Sequence, residues 1–167
     1  MDQIFDFTVP VFIKGLTGLK LVLQKAAEHG LDENALLAER LAPDMFPFVK
    51  QVQSATDNAK GCAARLSGQE IPKFEDTETT LVELQARLDK TIAYLRTISK
   101  DSFVNAAAVQ VVLPYMPGKF MTGFDYAREY ALPNFFFHVS MAYAIVRKNG
   151  VPIGKADYIA GLPLQDL

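Results

Sequence analysis

The sequence predicts an all-α protein, a four-helix bundle. Three observations carry this prediction. Four long stretches repeat apolar residues at three- to four-residue spacing, the period of a helix with one buried face. Helix stop and start residues fall between them: Gly30, Ser67-Gly68, Thr80 with Glu83, and Asn149-Gly150. Strand-like composition is confined to one segment, between Asp101 and Gly123. With 167 residues, half of them hydrophobic and 22% charged, the chain reads as one domain over 1–167. At that size about 70% of the unfolded surface is buried on folding.

The first helix is expected from about Ile4 to His29. Phe5, Phe12, Leu16, Leu19, Leu23 and Ala26 form its apolar stripe, and Gly30 stops it. Gly15 and Gly18 lie on one flank, beside Val11 and Val22. Each glycine costs about 1 kcal/mol relative to Ala, so another helix should approach closely there, within the bundle or across a dimer interface. A short helix is expected over Asp32–Leu41, with Asp32 as N-cap and Pro43 beyond its end. The second long helix runs from about Pro47 to Leu66, with Val49, Val52, Ala59, Ala63 and Leu66 inward. Gln51, Ala55, Asn58 and Cys62 form the neighbouring stripe.

Gln69–Thr79 is a polar loop. The third long helix opens with a capping box, Thr80 and Glu83. Leu81, Leu84, Leu88, Ile92, Leu95 and Ile98 follow in register, and Glu83 with Arg87 is an i,i+4 pair expected to contribute about 0.3 kcal/mol. Val109 and Val111–Leu113, the Pro117-Gly118 turn pair and Phe120–Thr122 then predict a two-stranded hairpin inside a long crossover. The fourth helix starts near Phe124, is kinked or segmented by Pro133, and ends at Asn149-Gly150 behind Arg147 and Lys148. The tail from Val151 is mostly extended, and Tyr158, Ile159 and Leu162 suggest that it docks.

Several function classes are excluded at this level. Net charge is −2 and no basic run or basic-aromatic stripe exists, so nucleic acid is not an expected partner. Cys62 is the sole cysteine, which rules out an intrachain disulfide and a cysteine-based zinc site and fits a reducing cytoplasm. MDQIFDF lacks a basic n-region, so no signal peptide is expected. The longest charge-free runs, Ser102–Gly118 and Tyr130–Val146, fall short of the ~20 residues a membrane span needs. Gly150–Ala156 has the wrong spacing for a phosphate loop and places Ala156 where a hydroxyl is required. Lys155 and Asp157 are expected instead to orient the tail.

The fourth helix carries the chemistry. Ala131–Asn149 is apolar almost all round, so its polar members point inward. Asn134 and His138 lie one turn apart on it. Ser140 is two residues from His138 and faces elsewhere, so that ring cannot activate it. His29, at the end of the first helix, reads as structural or solvated. His138 is either a core residue bonded to Gln51, Asn58 or Tyr94, or the wall of a pocket. Burial would lower its pKa and favour the neutral ring. The residues supply too few donors for a catalytic zinc, which wants about three.

LAPDMFPFVKQVQSATDNAKG (Leu41–Gly61), ELQAR (Glu83–Arg87) and ALPNFFFHVSMAYAIVRKNGVPIGKADY (Ala131–Tyr158) resemble the DinB/YfiT-like four-helix bundle superfamily, in its uncharacterised branch labelled a domain of unknown function. Many members of that superfamily hold a divalent metal with one histidine on the second helix and an HxxxH pair on the fourth. Some relatives are thiol-dependent transferases or metal-dependent hydrolases. Aligned on Arg147, His138 falls on the second histidine of the pair and Asn134 on the first, while the second-helix position falls near Gln51. The resemblance thus implies a degenerate metal site, with no metal or cofactor expected. It also implies a homodimer.

Three functions compete. The favoured one is a binding protein whose bundle interior takes a small ligand, with Gln51, Asn58, Tyr94, Tyr126, Asn134 and His138 as pocket candidates. The second is a divergent metal- or thiol-dependent transferase or hydrolase. The third is a structural or regulatory homodimer without a small-molecule site.

Overall fold

The computed structural model describes residues 3–166. Its helices are α1 (Ile4–His29), α2 (Glu33–Ala38), α3 (Phe48–Ser67), α4 (Leu81–Thr97), α5 (Gly123–Asp125), α6 (Leu132–Lys148) and α7 (Lys155–Ile159). Two short strands, β1 (Gln110–Val111) and β2 (Met121–Thr122), pair antiparallel in the crossover between α4 and α6. Among the described residues no helix is long and apolar enough to cross a membrane.

Long helices α1, α3, α4 and α6 form the bundle. α4 and α6 stand opposite each other, each packed between α1 and α3. The ion pairs Lys20–Asp89 and Asp6–Lys100 set α1 antiparallel to α4. Gln51 meets His138 and Arg65 meets Tyr126, so α3 and the last helix are antiparallel too. α3 and α4 run side by side in the same direction, which obliges the segment 69–80 to return along the bundle as an extended strap.

The helix boundaries follow local chemistry. Gly30 and Gly68 close α1 and α3 in the left-handed conformation, at φ 76° and 71°. Asp32 caps α2 by accepting from the Ala35 N–H at 3.1 Å, but α2 stops at Ala38, short of the expected Leu41, because Glu39 turns extended. The Thr80–Glu83 capping box is formed. The apolar stripes meet in one core: Phe12, Leu16, Leu19 and Leu23 of α1 pack with Val52, Ala59 and Leu66 of α3, Leu84, Leu88 and Leu95 of α4, and Phe135, Val139 and Ile145 of α6.

Gly15 and Gly18 are both used inside the chain. A methyl group at Gly15 would come within 2.6 Å of the Phe135 ring, and one at Gly18 would strike the Tyr158 carbonyl. The glycine flank therefore admits α6 and α7 and gives no argument for a dimer interface. α7 is a short helical turn within the otherwise extended tail. It docks on α1 through Lys25–Asp157 at 2.8 Å and on α6 through Ser140–Tyr158 at 2.9 Å, whereas Leu162 is exposed.

The strap is fastened by Arg87, whose side chain is 2% exposed. Its guanidinium bonds Glu78 at 2.9 Å, Asp57 at 2.8 Å, Asp76 at 3.0 Å, the Glu75 carbonyl at 3.0 Å and Thr56 Oγ1 at 2.7 Å. Lys50–Asp76 and Gln53–Glu78 add to the closure. The expected Glu83–Arg87 pair is replaced by this arrangement. Glu83 spends its carboxylate on the backbone of Thr79 and Thr80, and Arg87 turns toward the strap.

The last helix is segmented as Pro133 predicts. Tyr126–Ala131 form a π turn, in which the Leu132 N–H reaches back to the Ala127 carbonyl. Pro133 lacks the N–H that a regular turn needs next, and the wider turn precedes it.

Candidate functional site

The polar stripe of α3 faces the polar stripe of the last helix across one groove. At one end His138 Nδ1 meets Gln51 Oε1 at 2.8 Å. The Gln51 amide nitrogen donates to the Phe46 carbonyl at 3.1 Å, which fixes the amide with its oxygen toward the ring. Nδ1 is then the protonated nitrogen, and Nε2 carries the lone pair. Phe46 stacks parallel to the imidazole at 6.3 Å, and Phe137 meets it edge-on at 5.3 Å. Nε2 has no partner among the described residues.

His138 is 8% exposed. Burial, and then the charge of Lys50, lower its pKa from 6.5. An unfolded chain therefore takes up a proton first as pH falls. The buried neutral ring contributes stability that is fully present above pH 6.5 and is lost as pH drops through the folded-state value. The destabilisation caused by His138→Ala should accordingly be smaller at about pH 5.5 than at about pH 7.5. Urea midpoints for both proteins at both pH values measure this, and an equal penalty at the two would contradict it.

From that end the groove opens into a cleft of about 450 Å³ lined by Phe46, Ser54, Asp57, Asn58, Arg65, Leu113, Tyr115, Tyr126, Tyr130, Asn134 and His138. This volume lies in the range of small-molecule sites, about 300–1,000 Å³. Asn58 Oδ1 is buried and meets no donor among the described residues. Arg65 folds back along α3 over Gly61, where a methyl group would sit 2.6 Å from its Nη1. Its one polar contact among the described residues is a long donation to Tyr126 Oη at 3.5 Å. Asp57 is neutralised elsewhere, by Lys60 and Arg87, each at 2.8 Å.

Tyr126 and Tyr130 stack at 5.8 Å. The Tyr115 hydroxyl, carried in by the crossover, donates to the Tyr130 hydroxyl. Burial pushes the Tyr126 hydroxyl well above its ordinary pKa, against the nearby Arg65. Desolvation and the Tyr130 hydroxyl push Tyr115 up to about 12. Both are neutral hydrogen-bonding groups at physiological pH. Cys62 lies beneath them, fully buried, and its thiol is pushed far up by burial, so it is an inert packing residue.

Of the residues singled out in the sequence, Asn58, Tyr126, Asn134 and His138 line the cleft. Gln51 stands behind His138 as its hydrogen-bond partner. Tyr94 is elsewhere: α4 packs on α1 and α3, not on α6, and its hydroxyl faces Gln69 at 3.4 Å. Sequence reasoning missed Arg65, Tyr115 and Tyr130. Arg65 continues the stripe Gln51, Asn58, Cys62 by one more turn, and Tyr130 follows Tyr126 at i+4, so two of the three were within reach of periodicity. Tyr115 arrives through tertiary structure alone.

The metal implied by the superfamily resemblance does not fit these residues. Gln51 and His138 bond each other directly at 2.8 Å, whereas two ligands sharing a zinc ion at its usual bond lengths stand roughly 3.3 Å apart. Asn134 contributes a neutral amide, a poor ligand for a transition metal. Among the described residues no group of three or more His, Cys, Asp or Glu side chains is placed to hold a metal ion.

Comparison with known proteins agrees with the bundle. A family model described as "Domain of unknown function (DUF1993)" matches residues 4–159. A crystal structure of a DinB family member protein from Shewanella denitrificans is similar at 42% sequence identity and a TM-score of 0.94, covering 98% of this chain and 95% of that one. No curated protein matches the chain.

Proposed function

The chain belongs to the DUF1993 family of DinB-like four-helix bundles, and from that premise we propose that it binds a small ligand in the cleft between α3 and the last helix. One observation carries the proposal: the cleft gathers polar groups that, among the described residues, find no partner or only a long contact. Asn58 Oδ1 is buried and unsatisfied, and such an orphan costs about 1–3 kcal/mol. Among the described residues, His138 Nε2 has a free lone pair and Arg65 has no carboxylate partner. A folded protein that keeps such groups along one groove walled partly by aromatic rings has the makings of a binding site.

The superfamily's metal chemistry is disfavoured for this chain, because its positions now form a hydrogen bond rather than a donor set. The site is read as degenerate, its former ligands reduced to an oriented imidazole backed by an amide. Dimerisation is a separate proposal, resting on the superfamily resemblance, and sedimentation at several concentrations tests it.

Ligand-observed NMR against a library of small metabolites, with amide shifts mapped on the protein, tests the binding reading. Shifts clustering at Asn58, Asn134 and His138 are expected. Hits that map elsewhere, or no hits at all, would remove it.

Asn58→Leu gives a second check. It removes the orphaned acceptor without emptying the space. It should raise stability by about 1 kcal/mol and abolish the ligand response, the trade of stability for function expected at a site. A loss of stability on thermal denaturation would show that Asn58 is already satisfied in solution.

A further inference from the structure

Resting on the cleft reading, we infer that the ligand is a flat oxyanion that also carries a hydrogen-bond donor, such as a hydroxyl- or amino-substituted aromatic carboxylate or phosphonate. The inference comes from which groups are free and where they stand.

The anionic end is set by Arg65. Asp57, the carboxylate among the lining residues, is held by Lys60 and Arg87 instead. Arg65 stays available because Gly61 leaves room for the guanidinium to lie along α3 toward the cleft rather than project into bulk water. A planar fork of donors in a partly desolvated groove is matched by a carboxylate or phosphonate.

The donor end is set by two acceptors. Asn58 Oδ1 lacks a donor among the described residues. His138 presents a lone pair at Nε2, because Gln51 holds the proton on Nδ1. A ligand N–H or O–H satisfies either one. The walls between are aromatic: Tyr126 and Tyr130 stack on one side, and Phe46 closes the His138 end. A flat ring fills such a slot better than a branched chain does.

The test uses 4-hydroxybenzoate, 4-hydroxyphenylphosphonate and the neutral 4-hydroxybenzamide, titrated by calorimetry or NMR into the full-length protein and into Arg65→Gln. At least one oxyanion should bind the wild type about tenfold or more tightly than the amide. Arg65→Gln should erase that preference. Preference for benzoate against phosphonate identifies which oxyanion the fork selects, and either supports the inference. Equal binding of amide and anions, or a preference that survives Arg65→Gln, would overturn it while leaving the cleft reading intact. Failure of all three probes up to millimolar concentration would also overturn it, and the metabolite library then decides separately whether the cleft binds anything. Should Arg65→Gln not fold, Arg65→Lys serves in its place. It keeps the charge without the planar fork, and several-fold weaker oxyanion binding is expected.

Discussion

Arg87→Ala should destabilise the protein by about 3 kcal/mol, the lower part of the range for breaking a buried ion pair on one side. Arg87 is itself buried, but Asp57 and Asp76 keep 38% and 36% of their side chains in water, which relieves part of the penalty. Glu78, at 11%, has no such relief. Thr56 Oγ1 and the Glu75 carbonyl also lose their donor. The strap 69–80 should come free before the bundle unfolds, so its amides should exchange early while those of α1 and α6 stay protected. Arg87→Lys should rescue little, since one ammonium cannot reach three carboxylates and a carbonyl from a single fork. An unfolding free energy from urea titration within about 1 kcal/mol of wild type for Arg87→Ala would show that the strap holds by packing alone.

His138→Ala should cost about 2–4 kcal/mol at neutral pH. Gln51, 1% exposed, is left with an unpaired oxygen, and the stack between Phe46 and Phe137 loses its middle. Because Gln51 is fixed by the Phe46 carbonyl, it cannot turn to find another donor. A double-mutant cycle with Gln51→Ala isolates the pair, and a coupling of about 1 kcal/mol or more is expected. Additive penalties would mean that the ring contributes by packing and not through Nδ1. The same substitution should remove the ligand response, since His138 lines the cleft.

Much of the fold was legible in the sequence because its signals are local. The capping box at Thr80, the glycines at 30 and 68 and the heptad-like stripes each act within a turn or two, and each is formed. The hairpin was legible from its valines and the Pro117-Gly118 turn, though its ladder is only two residues deep and keeps Val111, Met121 and Thr122 while Val109, Val112, Leu113 and Phe120 fall outside it. The Arg87 cluster was not. Arg87 has a plausible local partner in Glu83, and only the return of the strap over α4 brings three better ones. The candidate site divides in the same way. His138 and Gln51 were readable from an inward helix and a family resemblance. Tyr94 lies outside the cleft because α4 stands across the bundle from α6, an arrangement that the periodicity of a single helix does not carry. Arg65 escaped because an arginine near a helix end ordinarily serves the helix dipole.

The π turn has a consequence for how the cleft is laid out. Tyr126, Tyr130, Asn134 and His138 follow one another at intervals of four. On a regular α-helix each such interval overshoots a full rotation by about 40°, so the first and last would diverge by about 120°. The slack wound into 126–131 counters that drift and keeps the four in one column facing α3. The phasing of the tyrosine half is therefore adjustable apart from the imidazole half. Deleting one residue between Tyr126 and Tyr130 would restore a regular helix, setting Tyr126 about 20° and Tyr130 about 40° to opposite sides of the column, which unstacks the two rings while Asn134 and His138 keep their places; one scaffold can thus recut one end of its groove and preserve the other.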